Sequence, residues 1–155
     1  MQNHNLKIPL LLWMRLLHEL RQRSGNGRES GAFLLGKTGS NKITRFICYD
    51  DLDPKSLDRG IITFDGSYYI LLWKLCNKFK LKVLADVHTH PSSWTGQSHT
   101  DKTHPMIAQK GHFAIIIPNY ASKRLISLAQ IGIYEYLGDH TWKTCSKGKL
   151  KFTLL

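Results

Sequence analysis

Two histidines, His88 and His90, stand one residue apart at the end of an apolar run, and Pro91 follows directly. In an extended strand, residues i and i+2 project from the same face, so both imidazoles can meet one point. Proline donates no ladder hydrogen bond, so the strand is expected to stop at Pro91. Asp101 follows eleven residues after His90. Two imidazoles and a carboxylate are the nitrogen and oxygen donors that a divalent metal takes. They leave one tetrahedral position for water, the pattern of a catalytic zinc and not of a closed structural one. By ligand type alone the same set also suits a non-haem Fe(II) centre.

Two further residues weigh against iron, because hydrolysis needs them and a bare ligand set does not. Glu29 opens the small-residue segment Glu29 to Gly36 and can act as the general base that takes a proton from water. Ser98 places a hydroxyl three residues before Asp101, where it can steady an oxyanion. Ser98 and Asp101 also have the spacing of a helix capping box. The two roles are compatible if a short turn aims Asp101 at the metal.

The remaining elements must hold these groups in place. Residues 9–23 carry Leu10, Trp13, Met14, Leu17 and Leu20 at helical spacing, and Ser24-Gly25-Asn26-Gly27 ends that helix. Glu29 to Gly36 reads as a buried strand, with Lys42 to Tyr49 as its hairpin partner. A polar loop over Asp50 to Gly60 and a short strand from Ile61 to Phe64 come next. Asp65 caps a second helix over 66–80, with Tyr68, Leu72, Leu75, Cys76 and Phe79 on its apolar face. Leu81 to His88 is the strand of the site. Strict alternation puts Leu81, Val83, Ala85 and Val87 on one face and Leu84, Asp86, His88 and His90 on the other. A short helix is expected near Pro105. Strands follow over His112 to Ile117 and Leu125 to Tyr136, with one or two more around Trp142 and Leu150 to Leu154. The pattern predicts one α+β domain over 1–155, a largely antiparallel sheet flanked by two main helices.

Composition narrows the field. The formal net charge is +11 and the pI about 9.7, which favours an acidic partner or a solvated basic surface. Cys48, Cys76 and Cys145 form neither a C-x-x-C pair nor a disulfide framework, so a reducing cytoplasm is expected. The apolar run Pro9 to Met14 is broken by Arg15 and is too short to span a bilayer, so no membrane role is expected. Neither a phosphate-binding glycine loop nor a deaminase signature of His-x-Glu with Pro-Cys-x-x-Cys occurs. Asp86 is a candidate to orient a ligand imidazole, and Trp94 is a candidate to line a substrate channel. A second metal site of His99, His104 and His112 with Cys145 has no supporting spacing.

Glu29-Ser30-Gly31-Ala32-Phe33-Leu34-Leu35-Gly36, then His88-Thr89-His90-Pro91, then Ser98 and Asp101, together resemble the JAB/MPN domain with an intact JAMM motif. Ala32 stands where a second glycine is typical. The resemblance implies a JAB/MPN-like (cytidine-deaminase-like) fold. It also implies a zinc metallopeptidase that cleaves isopeptide or peptide bonds after the C-terminal residue of a ubiquitin-like protein. His88, His90 and Asp101 would bind one zinc per chain, Glu29 would be the general base, and Ser98 would steady the oxyanion. The continuation through Pro105-Met106 and Gly111 to Pro118 is similar to small stand-alone bacterial members. Those often sit in operons with E1-like and E2-like proteins, several in antiphage defence. The long insertions of linkage-selective relatives are absent. An alternative resemblance is to RadC-type DNA-associated proteins, which share the His-x-His-Pro…Ser-x-x-Asp part and would make nucleic acid a partner.

Overall fold

A computed structural model describes residues 5–123 and 126–154. Strand β1 (Leu6–Pro9) leads into helix α1 (Leu10–Ser24), then β2 (Gly31–Lys37), β3 (Arg45–Cys48) and the one-turn helix α2 (Tyr49–Leu52). A 3-10 turn at Gly66–Tyr68 opens α3 (Tyr69–Phe79), which is followed by β4 (Leu81–Thr89) and α4 (His99–Thr103). The chain closes with β5 (Phe113–Ile117), β6 (Gly132–Gly138), β7 (Thr141–Thr144) and β8 (Leu150–Thr153). The main sheet has the order β3-β2-β4-β5-β6-β7. Its neighbours are antiparallel except β4 and β5, which run parallel. A separate parallel pair joins β1 to β8. The protein is mixed α+β, with a mostly antiparallel sheet and a main helix on each face.

The parallel pair explains where the site forms. Two parallel strands cannot be joined by a tight hairpin, so the chain must travel back between them. The β4–β5 connection does so through α4, whose first turn, with Ser98 as its cap and Asp101 inside it, lies beside the C-terminal end of β4. Both faces of this region are covered, so β5 reads Phe-Ala-Ile-Ile-Ile and is buried along its whole length. On one face α1 buries Trp13, Leu16, Leu17 and Leu20 against Ala32, Leu34 and other sheet residues. On the other, Leu72 and Cys76 of α3 pack with Phe33, Leu35 and Tyr49.

A β-bulge corrects the expected faces of the site strand. Leu34 pairs with Ala85 and Leu35 with Val83, so Leu84 has no partner opposite it. One extra residue inverts the alternation before it. Leu81 and Val83 therefore lie on the α3 side, as Asp86 and His88 do, while Ala85 and Val87 face α1.

Other expectations shift for local reasons. Ile61 to Phe64 forms no strand. Both edges of β2 are already taken, and Phe64 instead packs edge-on to Phe33 and Tyr49 at 5.7 and 5.9 Å. The helix expected near Pro105 lies before it. His104 is held out of the helical region at φ −128°, as a residue preceding proline must be, and α4 has ended at Thr103. The polar loop after Cys48 contains α2. The strand expected from Leu125 begins at Gly132, after a 3-10 turn over Leu128–Gln130; Leu125 itself lies outside the described residues. Asp65 does cap the start of the second helix, accepting from Ser67 N–H at 2.9 Å. Phe79 is not on the buried face; it is 46% exposed and lies under Arg45 and Lys78.

Candidate metal centre

Hydrogen bonds between α1, β2 and β4 fix the start of β2 against the end of β4. The Ser24 and Ser30 hydroxyls lie 2.7 Å apart, Ser30 Oγ donates to the Leu20 carbonyl at 2.8 Å, and Ser30 N–H donates to Thr89 Oγ1 at 3.0 Å. Gly31 pairs directly with His88. A Cβ at Gly31 would come within 2.3 Å of the Tyr49 ring and 2.6 Å of the Val87 carbonyl oxygen, so only glycine lets Tyr49 and β4 close in beside the histidine. The same packing places Glu29, whose N–H donates to the Gly60 carbonyl at 2.7 Å, at the mouth of this corner.

His88 and His90 present their Nε2 atoms to each other at 3.1 Å. Asp101 reaches both, with Oδ1 3.3 Å from His88 Nε2 and Oδ2 3.1 Å from His90 Nε2. The ligand atoms of the three residues lie within 4.8 Å of one another. Asp101 arrives there through the capping box of α4. Its N–H donates to Ser98 Oγ at 3.0 Å, and Ser98 N–H donates to Asp101 Oδ2 at 2.9 Å. The cap therefore coexists with the approach of the Asp101 carboxylate to both histidines. His90 Nδ1 stands 3.1 Å from the Trp94 carbonyl oxygen. A carbonyl only accepts, so Nδ1 carries a proton, and a metal bound at the centre would meet the Nε2 lone pair.

The electrostatics follow from this crowding. Burial alone would raise the Asp101 pKa, but hydrogen bonds from His88 and His90 hold it well below the usual carboxylate range. Burial alone would lower that of His88, but its hydrogen bond to Asp101 and the Asp101 charge win and raise it. Glu29 is pushed up by burial, and the opposing pull of the two histidines does not fully offset this. Two imidazole nitrogens at 3.1 Å with a carboxylate against both need a shared cation or proton to be stable. The donor set thus fits a zinc ion with its remaining position open to the cavity.

That cavity has a volume of about 520 Å³. Glu29, His88, Ser98 and Asp101 line it, together with Ile62, Phe64, Tyr69, Met106 and Trp142. All five residues singled out in the sequence converge on this corner. Two weaker expectations are corrected. Asp86 lines the cavity but bonds His112 Nε2 at 2.6 Å and not a ligand imidazole; both are buried, and a carboxylate offered to two histidines took the one facing it across the sheet. Trp94 lies outside the cavity lining. It is 55% exposed and stacks on His90 with ring centroids 5.4 Å apart. Among the described residues, His88, His90 and Asp101 are the group that could hold a metal, so His99, His104 and His112 form no second site. Tyr49 has no counterpart among the sequence expectations: its hydroxyl is buried at the cavity near the Asp86 carboxylate, outside good hydrogen-bond geometry. No sequence pattern marks it, because its place depends on the distant Gly31.

No protein-family model matches the chain. A solution structure of a protein from Desulfitobacterium hafniense is similar at TM-score 0.65 and 16% identity, covering 96% of this chain and 94% of that one. A solution structure of a protein from Salinibacter ruber is similar at TM-score 0.53 and 13% identity, over 96% and 92% of the two chains. A JAB1/MPN domain protein from Archaeoglobus fulgidus fits more loosely, at TM-score 0.49 and 16% identity over 96% and 98%. At these identities the first two likenesses show the fold alone. Fold and site together define an α+β protein with a two-histidine, one-carboxylate centre at the open end of a parallel strand pair. No helix among the described residues is long and apolar enough to cross a membrane.

Proposed function

We propose that this chain is a zinc-dependent metallopeptidase of the JAB/MPN type. Its substrate is the isopeptide or peptide bond after the C-terminal residue of a ubiquitin-like protein. The observation that carries this reading is the meeting of Asp101 with both histidine Nε2 atoms, at 3.1 and 3.3 Å, in the cavity that also holds Glu29 and Ser98. The positions that match the JAMM motif in sequence are the ones the fold brings together.

When bound, zinc supplies Lewis-acid polarisation of a carbonyl and makes water acidic enough to give up a proton near neutrality. Glu29 then takes that proton and passes it to the leaving amine. Its raised pKa suits both halves of the transfer, since a base poised closer to neutrality also gives the proton back. The Ser98 hydroxyl oxygen accepts from Asp101 N–H, which orients its own O–H to donate to the oxyanion. The Trp94 carbonyl keeps His90 in the ligating tautomer.

The partners in this reading are a ubiquitin-like protein and its conjugates, with E1-like and E2-like proteins in a bacterial cytoplasmic pathway such as antiphage defence. The test is elemental analysis together with mass spectrometry of a ubiquitin-like fusion after incubation. The expected result is one zinc per chain and cleavage at the fusion junction. Glu29→Ala should keep the zinc and lose the cleavage; full activity in that variant refutes the mechanism.

A further inference from the structure

A second and larger cavity, about 1100 Å³, opens along the N-terminal half of β4 and shares no lining residue with the metal cavity. Lys82 from β4, Lys110 from the segment before β5 and Lys149 from the turn before β8 converge on it from distant parts of the chain. Glu135 is the one acid among its described lining residues. None of the three lysines forms an ion pair among the described residues; Lys149 instead sits 5.0 Å over the Phe113 ring. Three like charges gathered with one acid repel, and a polyanion relieves that repulsion.

The groove also has a flat aromatic surface. Trp73 lines it and is 45% exposed. Its indole stacks on Tyr69 at 6.1 Å and 22°, and Tyr69 is itself anchored by its hydroxyl to the Met106 carbonyl. The amides of Asn41, Asn77 and Gln109 stand around the same space. Lysines that follow a phosphate backbone, a rigid ring for a base to stack on and amides for base edges are the parts of a single-strand binding groove. Lysines from three separate segments around one open groove suit a stretch of chain with several phosphates. An acidic peptide would satisfy the lysines and its backbone could meet the amides, but it would need an aromatic side chain at that point to stack on the indole.

We infer that this groove binds single-stranded nucleic acid, through Lys82, Lys110 and Lys149 on the phosphates and Trp73 against a base. This binding does not depend on the metal centre.

The test is fluorescence anisotropy of a labelled oligothymidylate across a salt series. Wild-type protein should bind, with affinity falling linearly in log–log form as salt rises. Lys82→Gln/Lys110→Gln/Lys149→Gln should weaken binding at least about tenfold and flatten the slope by about 2, at roughly 0.7 for each phosphate no longer neutralised. Trp73→Ala should weaken binding about tenfold with the slope unchanged, since stacking carries no counterion release. Arg15→Gln/Lys123→Gln, on exposed positions away from the groove, should stay within about twofold of wild type. Thermal melts of each variant separate lost binding from lost folding. Absence of binding overturns the inference, as does an equal loss in the Arg15/Lys123 variant, which would make the attraction diffuse. Polyglutamate that competes as well as oligothymidylate at equal charge would assign the groove to an acidic protein instead.

Discussion

The two cavities lie along one strand, β4, and are built on opposite principles. In the metal cavity two of the three candidate ligands are held by groups outside the cluster. His90 is fixed by the Trp94 carbonyl, Asp101 by the capping box, and the corner itself by Gly31 and the Ser24–Ser30–Thr89 hydroxyls. In the groove the lysines are long, open at least partly to solvent and unpaired by acids among the described residues. The wall between them includes the buried Asp86–His112 bond of 2.6 Å, whose carboxylate faces the first cavity and whose imidazole faces the second. The proposed bond-breaking chemistry would depend on groups placed to within a fraction of an ångström, which suits a site fixed by tertiary constraints. Attraction of a polyanion depends on summed field, so mobile charges suffice.

The sharpest way to break this contrast is Asp101→Asn. The carboxamide keeps the shape of the capping box but removes the anionic ligand. The zinc content should fall to near zero and cleavage by at least about 10²-fold, while oligonucleotide affinity should not change. A parallel loss of nucleic-acid binding would show that the two cavities are one site. Gly31→Ala comes next in size. Its methyl would press on both the Tyr49 ring and the Val87 carbonyl, so unfolding in urea should show a loss of about 1–3 kcal/mol, with weaker zinc retention.

A pH series sharpens the comparison further. The Asp101 pKa is lowered on folding, so its stabilisation is present above about pH 3.9 and is lost as pH falls through the depressed value. The His88 pKa is raised, so its stabilisation is present below about pH 6.5 and is lost as pH rises through the higher folded value. Metal-stripped protein should therefore gain most from this pair between about pH 4 and 6.5, as read by urea melts. A metal held by His88 would have to displace its proton, so zinc affinity should climb as pH rises from about 6 to 8, measured by titration with a competing chelator. The groove shares no lining residue with the metal cavity, so oligonucleotide affinity should stay flat over that range. The smallest effect is expected from Trp94→Ala. It removes the ring stacked on His90 but leaves the backbone carbonyl that fixes the tautomer, so zinc affinity should change by less than about tenfold.

Most of the candidate site was legible because its parts obey local rules. The i, i+2 geometry of a strand joins His88 to His90, proline ends the strand, and the Ser98–Asp101 spacing makes a cap that aims its own acid. Glu29 became legible through its match to the motif, since no local rule links it to a residue nearly sixty positions on. The fold class and both main helices also followed from periodicity.

Other features depended on residues far apart in the chain. The bulge at Leu84 is set by what β2 pairs with, so strict alternation puts Leu81 and Val83 on the wrong face. Strand β1 forms by pairing with β8, at the far end of the chain. Asp86 bonds His112 and not a ligand histidine, because β5 runs parallel beside β4. The lysine groove draws on residues 82, 110 and 149, which show no cluster in sequence. Sequence alone determined the donors, since ligand chemistry and short-range backbone geometry are encoded within a few residues. Tertiary structure decided which donors share a cavity, because pairing register and burial are settled only when distant segments compete for the same neighbours.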